Sequence, residues 1–174
     1  MQEIALVAAL SYNNVIGSNG QIPWNLRDDL KYFQQLTKGH IVIMGRKTWD
    51  SLPKKPLKDR INIVVTTQPH AVGVGSFDVI SAANYDEALQ CAEKISLADN
   101  KKIFVIGGSS AYNHFLPLAQ HLYLTHVNAR LDGDTFFPQY NPRLWKVEDV
   151  ARANASARND YSFVTQHYSR TLGQ

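Results

Sequence analysis

The 174 residues contain a single cysteine, Cys91, so no disulfide can form within the chain. Cys91 falls in an apolar helical pattern and reads as a small core residue without a role. No apolar run approaches the roughly 20 residues needed for a membrane-spanning helix. The first such run, Ile4 to Leu10, has no basic residue before it and leads straight into Ser11-Tyr12-Asn13-Asn14. It therefore reads as a strand rather than a signal peptide, and a cytoplasmic location without membrane contact is expected. Charge of one sign is also scarce: 18 Lys and Arg oppose 15 Asp and Glu, a net +3, and the cations are scattered. Nucleic acid is not expected as a partner, whereas a mild positive bias suits small anionic ligands. The six histidines lack ligand spacing of the HExxH kind, so no metal is expected. Linkers, repeats and low-complexity stretches are missing too, and one domain over residues 1–174, a monomer, is expected.

Apolar and β-branched runs are plentiful. They occur at 4–10, 41–44, 61–66, 77–80, 103–106 and 122–127, separated by helical or turn-rich stretches. Helices are expected at 26–37, 47–51, 85–95 and 110–119, the third opening on a capping box formed by Asn84 and Glu87. Two late runs, 145–152 and 161–169, read as an antiparallel pair about a turn at 154–160. The expected fold is α/β: a mixed, mostly parallel central sheet of about eight strands flanked by about four helices, closing in a C-terminal antiparallel hairpin.

Within the first helix one carboxylate is out of place. At ~100° per residue, Asp29 falls between Leu36 on one side and Phe33, Leu26 and Leu30 on the other, while Asp28, Lys31, Gln34 and Gln35 point away. Desolvation disfavours the charged form and raises its pKa, so such a group is either satisfied by a neighbouring hydroxyl or amide, or holds a ligand.

Two strand-to-helix junctions suggest which ligand. Lys102-Ile-Phe-Val-Ile-Gly107-Gly108-Ser109-Ser110 is a buried strand ending in paired glycines at a helix start. His40-Ile-Val-Ile-Met-Gly45-Arg46-Lys47-Thr48 repeats the arrangement with two cations and a hydroxyl in the turn. Glycines permit close backbone approach, and free N–H groups at a helix start attract phosphate. Neither run is a three-glycine dinucleotide fingerprint or a P-loop. A third strand ends at Thr66-Thr67-Gln68, and ligands of open parallel sheets lie outside the carboxyl ends of the strands, so all three can converge on one dinucleotide. Arg46 suits a terminal phosphate through its planar fork.

In order and spacing, Ile16-Gly17, Ile22-Pro23-Trp24-Asn25-Leu26 with Asp29, Met44-Gly45-Arg46-Lys47-Thr48-Trp49, Val105-Ile106-Gly107-Gly108 and Leu122-Tyr123-Leu124-Thr125 resemble the dihydrofolate reductases of bacterial chromosomes. The resemblance runs from about Ile4 to Pro138 and implies NADPH-dependent reduction of 7,8-dihydrofolate to tetrahydrofolate, with dihydrofolate and antifolate-type molecules as ligands. It implies that Asp29 accepts hydrogen bonds from the pterin, that Thr125 supports this carboxylate, and that Asp29 promotes protonation at N5 while hydride reaches C6. A raised pKa would help, since general acids work best near the operating pH. Trp24 and Ile22 join the catalytic set from the loop 13–24, which the family closes over the nicotinamide and which here carries Ile22 as its apolar tip.

By the same resemblance, Val7, Ala8, Leu30 and Ile106 contact pterin or nicotinamide, with Tyr112 beside them. Phe33, Leu52 and Leu57 line the aminobenzoyl channel, and Arg60 binds the glutamate α-carboxylate. The segment 52–57 holds one residue more than the commonest pattern, which leaves open whether Lys54 or Lys55 reaches the glutamate tail. Arg46, Lys47, Thr48, Thr66 and Thr67 would hold the pyrophosphate and the 2'-phosphate, helped by Gln68. Gly107-Gly108 is expected as a cis peptide next to Gly45, with Ser109, Ser110, Ala111 and Tyr112 following. Ser110 departs from relatives that carry arginine in this region. Ala9, Ile16, Gly17, Asn19, Gly20 and Ser81 complete the expected cofactor contacts.

Three rival readings use the same strand ends: a pyrimidine reductase of riboflavin synthesis, a flavodoxin-like electron carrier, and a non-catalytic nucleotide-binding module. None of the three needs Asp29 at that helix position together with Thr125 and Arg60.

Overall fold

The computed structural model describes residues 2–73 and 77–171. Its centre is an eight-stranded sheet of β1 (Ile4–Leu10), β3 (Ile41–Gly45), β4 (Ile61–Val65), β5 (Val79–Ala82), β6 (Ile103–Gly107), β7 (His121–Val127), β9 (Trp145–Ala153) and β10 (Phe163–Arg170). The spatial order is β5-β4-β3-β6-β1-β7-β10-β9, with β10 antiparallel to both of its neighbours and the other pairs parallel. Four helices, α1 (Arg27–Thr37), α2 (Arg46–Ser51), α3 (Tyr85–Asp99) and α4 (Ser109–Phe115), cover the two faces. The mixed, mostly parallel sheet and the C-terminal hairpin are as expected.

All five residues of β3 are buried, as an interior parallel strand covered on both faces requires. Alternation then sorts the side chains. Leu6, Ile43 and Val105 pack with Ala88, Ala92 and Phe115 of α3 and α4, while Val42, Met44 and Phe104 pack with Trp49 of α2 and Leu36 of α1. Val7, Ile106 and Tyr123 belong to this second face, so α1 lies over them.

Several boundaries differ from expectation. The fifth strand is displaced from 77–80 to Val79–Ala82, because its pairing with β4 starts at Asn62 and Val79, and Phe77 stands fully exposed ahead of it. The last helix gives way to a 3-10 turn at Leu116–Leu118, where Pro117 has no N–H to donate. The third helix runs on to Asp99 and stops at Asn100, whose left-handed φ of 53° ends it. Within the expected loop 13–24, β2 (Val15–Gly17) pairs antiparallel with β8 (Thr135–Phe136). Ser18 and Gln21 bridge there around Asn19 (φ 52°) and Gly20 (φ 75°), two positive values that define a type I′ turn. The tip of this segment is therefore Asn19-Gly20, and Ile22 lies one residue past the hairpin rather than at its apex.

Candidate active site

Helix α1 has no side-chain N-cap of its own: Leu26 holds that position. Its orphan N–H groups are met by the turn between β9 and β10. Arg27 N–H donates to the carbonyl of Arg158 at 3.0 Å, and Asp28 N–H to Asn159 Oδ1 at 3.1 Å. The buried Asn159 returns its amide to Asp28 Oδ2 at 2.8 Å, and Arg158 Nε donates to Asp28 Oδ1 at 2.9 Å. A segment 130 residues downstream thus sets the phase at which α1 begins.

That phase turns the next carboxylate the other way. Asp29 enters the cleft over β7, where Thr125 Oγ1 donates to Asp29 Oδ1 at 2.7 Å. Burial raises the Asp29 carboxyl to about 6, and the single hydrogen bond from Thr125 opposes this only in part. Asp28, one residue earlier, is held below its ordinary value by the Asn159 amide and the Arg158 guanidinium. Adjacent carboxylates are thereby split into a charged surface anchor and a protonatable cleft group.

The cleft beside Asp29 is open. Leu30 is 57% exposed, although it shares the apolar stripe, and Thr37 is the buried residue of α1, so most of the stripe faces the cleft rather than a packed core. At the far end of α1, Arg60 is buried, its Nη1 donates to Thr37 Oγ1 at 3.2 Å, its Nε donates to the Lys58 carbonyl at 2.9 Å, and its guanidinium lies 5.7 Å from the Phe33 ring. Leu52 and Leu57 pack on the same face of the sheet. One wall therefore presents a carboxylate, an apolar channel and a guanidinium in sequence. Lys55 is turned away from it, donating to the carbonyls of Trp49 and Asp50 at 3.2 Å each.

The glycine-ended strands meet across the sheet. A Cβ on Gly45 would stand 3.1 Å from the Tyr85 hydroxyl, and one on Gly107 3.2 Å from Thr48 Oγ1 and 3.3 Å from the Tyr112 hydroxyl. Gly107 also has φ 131°, and the Gly107–Gly108 peptide is cis. Tyr112 donates to the Val7 carbonyl at 2.6 Å, fixing β1 where it passes the two junctions, and its burial raises the phenol above its usual value. Arg46 Nη1 donates to Thr66 Oγ1 at 3.4 Å and to Gln68 Oε1 at 3.5 Å, which joins the β3 and β4 ends. Lys47 borders a cleft of about 420 Å³ together with Asn19 and Gly20 of the hairpin turn.

A sequence profile of the family described as "Dihydrofolate reductase" matches residues 3–170. The chain belongs to the dihydrofolate reductase family. It is 40% identical over 164 residues to dihydrofolate reductase type 3 of Salmonella typhimurium, covering 93% of this chain and 96% of that one. It is 40% identical over 159 residues to the Haemophilus influenzae dihydrofolate reductase, covering 90% and 92%, and 33% identical over 167 residues to that of Bacillus subtilis, covering 96% and 94%. These relatives favour the folate reading over a pyrimidine reductase or a non-catalytic module.

Of the expected residues, the structure brings Asp29 to Thr125, Phe33 to Arg60, and Arg46 to Thr66 and Gln68. Two stand differently from expectation. Ala8 turns its methyl into the opposite core, and Ala111 is fully buried there, so each can meet a ligand through its backbone alone. Trp24 packs with Leu26, Val127 and Phe163 at the root of the hairpin segment. Ser81 sits beside Val64 on the edge strand. Sequence reasoning missed four residues. Asp50 accepts from Arg46 Nε at 2.9 and 3.1 Å, the Tyr85 hydroxyl lies 2.7 Å from Ser110 Oγ, Asn159 seats α1, and Thr165 lies behind Thr125. Asp50 had a visible signal, its i,i+4 spacing from Arg46; the others depend on contacts between distant segments.

Proposed function

We propose that this chain is a cytoplasmic, monomeric dihydrofolate reductase that converts 7,8-dihydrofolate to 5,6,7,8-tetrahydrofolate with NADPH and so serves one-carbon metabolism. The observation that carries this reading is a desolvated carboxyl, raised to about 6, at one end of an apolar cleft that has a buried guanidinium at its other end. Pterin, aminobenzoyl and glutamate carboxylate fit that succession in order.

The donor set also fits a phosphorylated dinucleotide. Arg46, Lys47, Thr48, Thr66 and Gln68 supply cations, hydroxyls and an amide, while Gly45, Gly107 and Gly108 leave room where a Cβ would press on Tyr85 or Thr48. When bound, NADPH supplies the hydride that reaches pterin C6. The protein's own residues do the rest. Asp29 holds the pterin amino group and ring N–H, and in its protonated fraction near pH 6 it supports a proton arriving at N5 through solvent. Thr125 fixes the carboxyl that does so. Ile106 and Val7 give the ring an apolar bed, Arg60 anchors the tail, and Lys54 rather than the occupied Lys55 is the lysine available to it. The hairpin at 15–21, with Ile22 beyond it, covers the nicotinamide side and excludes water.

Asp29→Asn tests this. NADPH binding, followed by quenching of protein fluorescence, should remain, while turnover of dihydrofolate at pH 7, read from loss of NADPH absorbance, should fall by ~10²–10⁴, the usual range for removing a general acid. Near-normal turnover in that variant would remove Asp29 from the chemistry.

A further inference from the structure

Thr125 and Thr165 face one another directly across the antiparallel pair β7–β10, and their hydroxyl oxygens are 2.7 Å apart. Thr165 is 1% exposed and Thr125 3%, both beneath the cleft floor. Valine would occupy the same place in a strand without a hydroxyl to desolvate, so the hydroxyl at 165 calls for a reason. Hydrogen counting supplies one. Thr125 has a single hydroxyl hydrogen, and it points to Asp29 Oδ1 at 2.7 Å. The hydrogen between the two threonines must then come from Thr165. The chain runs Thr165 O–H to Thr125 O–H to Asp29 carboxylate, and each donor polarises the next.

We propose that Thr165 is a positioning residue of the reductase: by donating to Thr125 it fixes that hydroxyl as a donor to Asp29 and so sets where the carboxyl exchanges its proton. A register shift lies beside it, between Thr165 and Gln166 on the β9 side, as found where a strand re-aims a side chain. Ala151, opposite Thr165 on β9, carries no polar atom in its side chain. The ionisable groups facing this chain are few. Tyr32 of α1 and Tyr123 of β7 share the cleft side, and His167, two residues along β10, stacks on Tyr123 at 4.5 Å with Glu148 beyond it. At the other end of α1 lies Arg60. Among the described residues, burial pushes the Asp29 carboxyl up and the Thr125 hydroxyl pulls it down, so this hydroxyl donor is the adjustable influence.

This inference rests on the folate reading of the site, and the experiment separates the two. The rate of hydride transfer is measured in single turnovers at saturating NADPH and dihydrofolate from pH 5 to 9. Thr165→Val should move the midpoint of that profile up by a few tenths of a unit, in keeping with the ~10–30% by which a neighbouring hydrogen bond strengthens the next, with the NADPH dissociation constant unchanged. Thr165→Ser, which keeps the hydroxyl, should restore the midpoint. Because Thr165 acts only through Thr125, the double variant Thr125→Val/Thr165→Val should show the midpoint of Thr125→Val alone. Thr165→Ala serves if the valine variant does not fold. A midpoint that stays in place when the hydroxyl is lost, a serine that fails to restore it, or shifts that add in the double variant would each overturn the proposal. Loss of the pH dependence in Asp29→Asn is required by the folate reading itself, so failure there strikes that reading and not Thr165.

Discussion

Replacing Asp29 by asparagine should stabilise the ligand-free protein at neutral pH while it disables catalysis. The folded state holds this carboxyl at about 6 against an ordinary value of 3.8, so ionising it is harder in the folded protein than in the unfolded chain. Each unit corresponds to about 1.4 kcal/mol, which sets an upper figure of ~3 kcal/mol at pH 7. Water reaching the open cleft screens part of this, leaving roughly 1.5–3 kcal/mol. The sign follows from a raised pKa. Below 3.8 the group is protonated in both states and imposes no penalty. As pH rises through about 6 the relative stability is lost, and above that the loss is complete. Asparagine cannot ionise, and its Oδ1 can still accept from Thr125. Thermal unfolding of both proteins across pH 4 to 8 is the assay. The variant should melt close to the parent near pH 4 and about 3–12 °C higher at pH 7, at ~2–4 °C per kcal/mol for a chain of this size. Parallel stability curves across that range, or a variant less stable throughout, would refute the desolvated carboxyl.

Two other perturbations probe different parts of the cleft. Arg60→Ala should raise KM for dihydrofolate by ~10–100-fold, the size of one charge-assisted interaction, with kcat little altered; an unchanged KM would take Arg60 out of the site. Asn159→Ala removes the two bonds that Asn159 makes with Asp28 and leaves the one from Arg158, and should destabilise the protein by ~1–3 kcal/mol. Amide exchange should speed up selectively in the first turn of α1, and protection equal to the parent's would show that the turn does not seat the helix.

The parts of the site legible in sequence are those set by local periodicity. Helical spacing alone turned Asp29 toward the apolar side, and the glycine-ended strands marked the ends of β3 and β6. Elements too short to repeat an alternation were invisible: β2 has three residues and β8 two. The Asn19-Gly20 dipeptide suits the turn, yet it lacks the flanking hydrophobic alternation that normally identifies a hairpin, and the segment read as a loop with Ile22 at its tip. Thr165 and Asn159 were hidden for a different reason. Each acts on a segment 40 to 131 residues away, and only the register of β10 against β7 and the folded turn bring them there.

That long reach gives the site a chronology. During synthesis, α1, β1 and β7 emerge well before the turn at 154–160 and the strand after it, which supply the cap of α1 and the hydroxyl behind Thr125. β10 lies between β7 and β9 in the sheet, so it must insert between strands that left the ribosome earlier. A nascent chain halted before Asn159 would carry Asp29 and Thr125 but neither brace, and at ~5–20 residues per second the interval before both arrive is a few seconds. Over that time the carboxyl on which the chemistry turns has no fixed place.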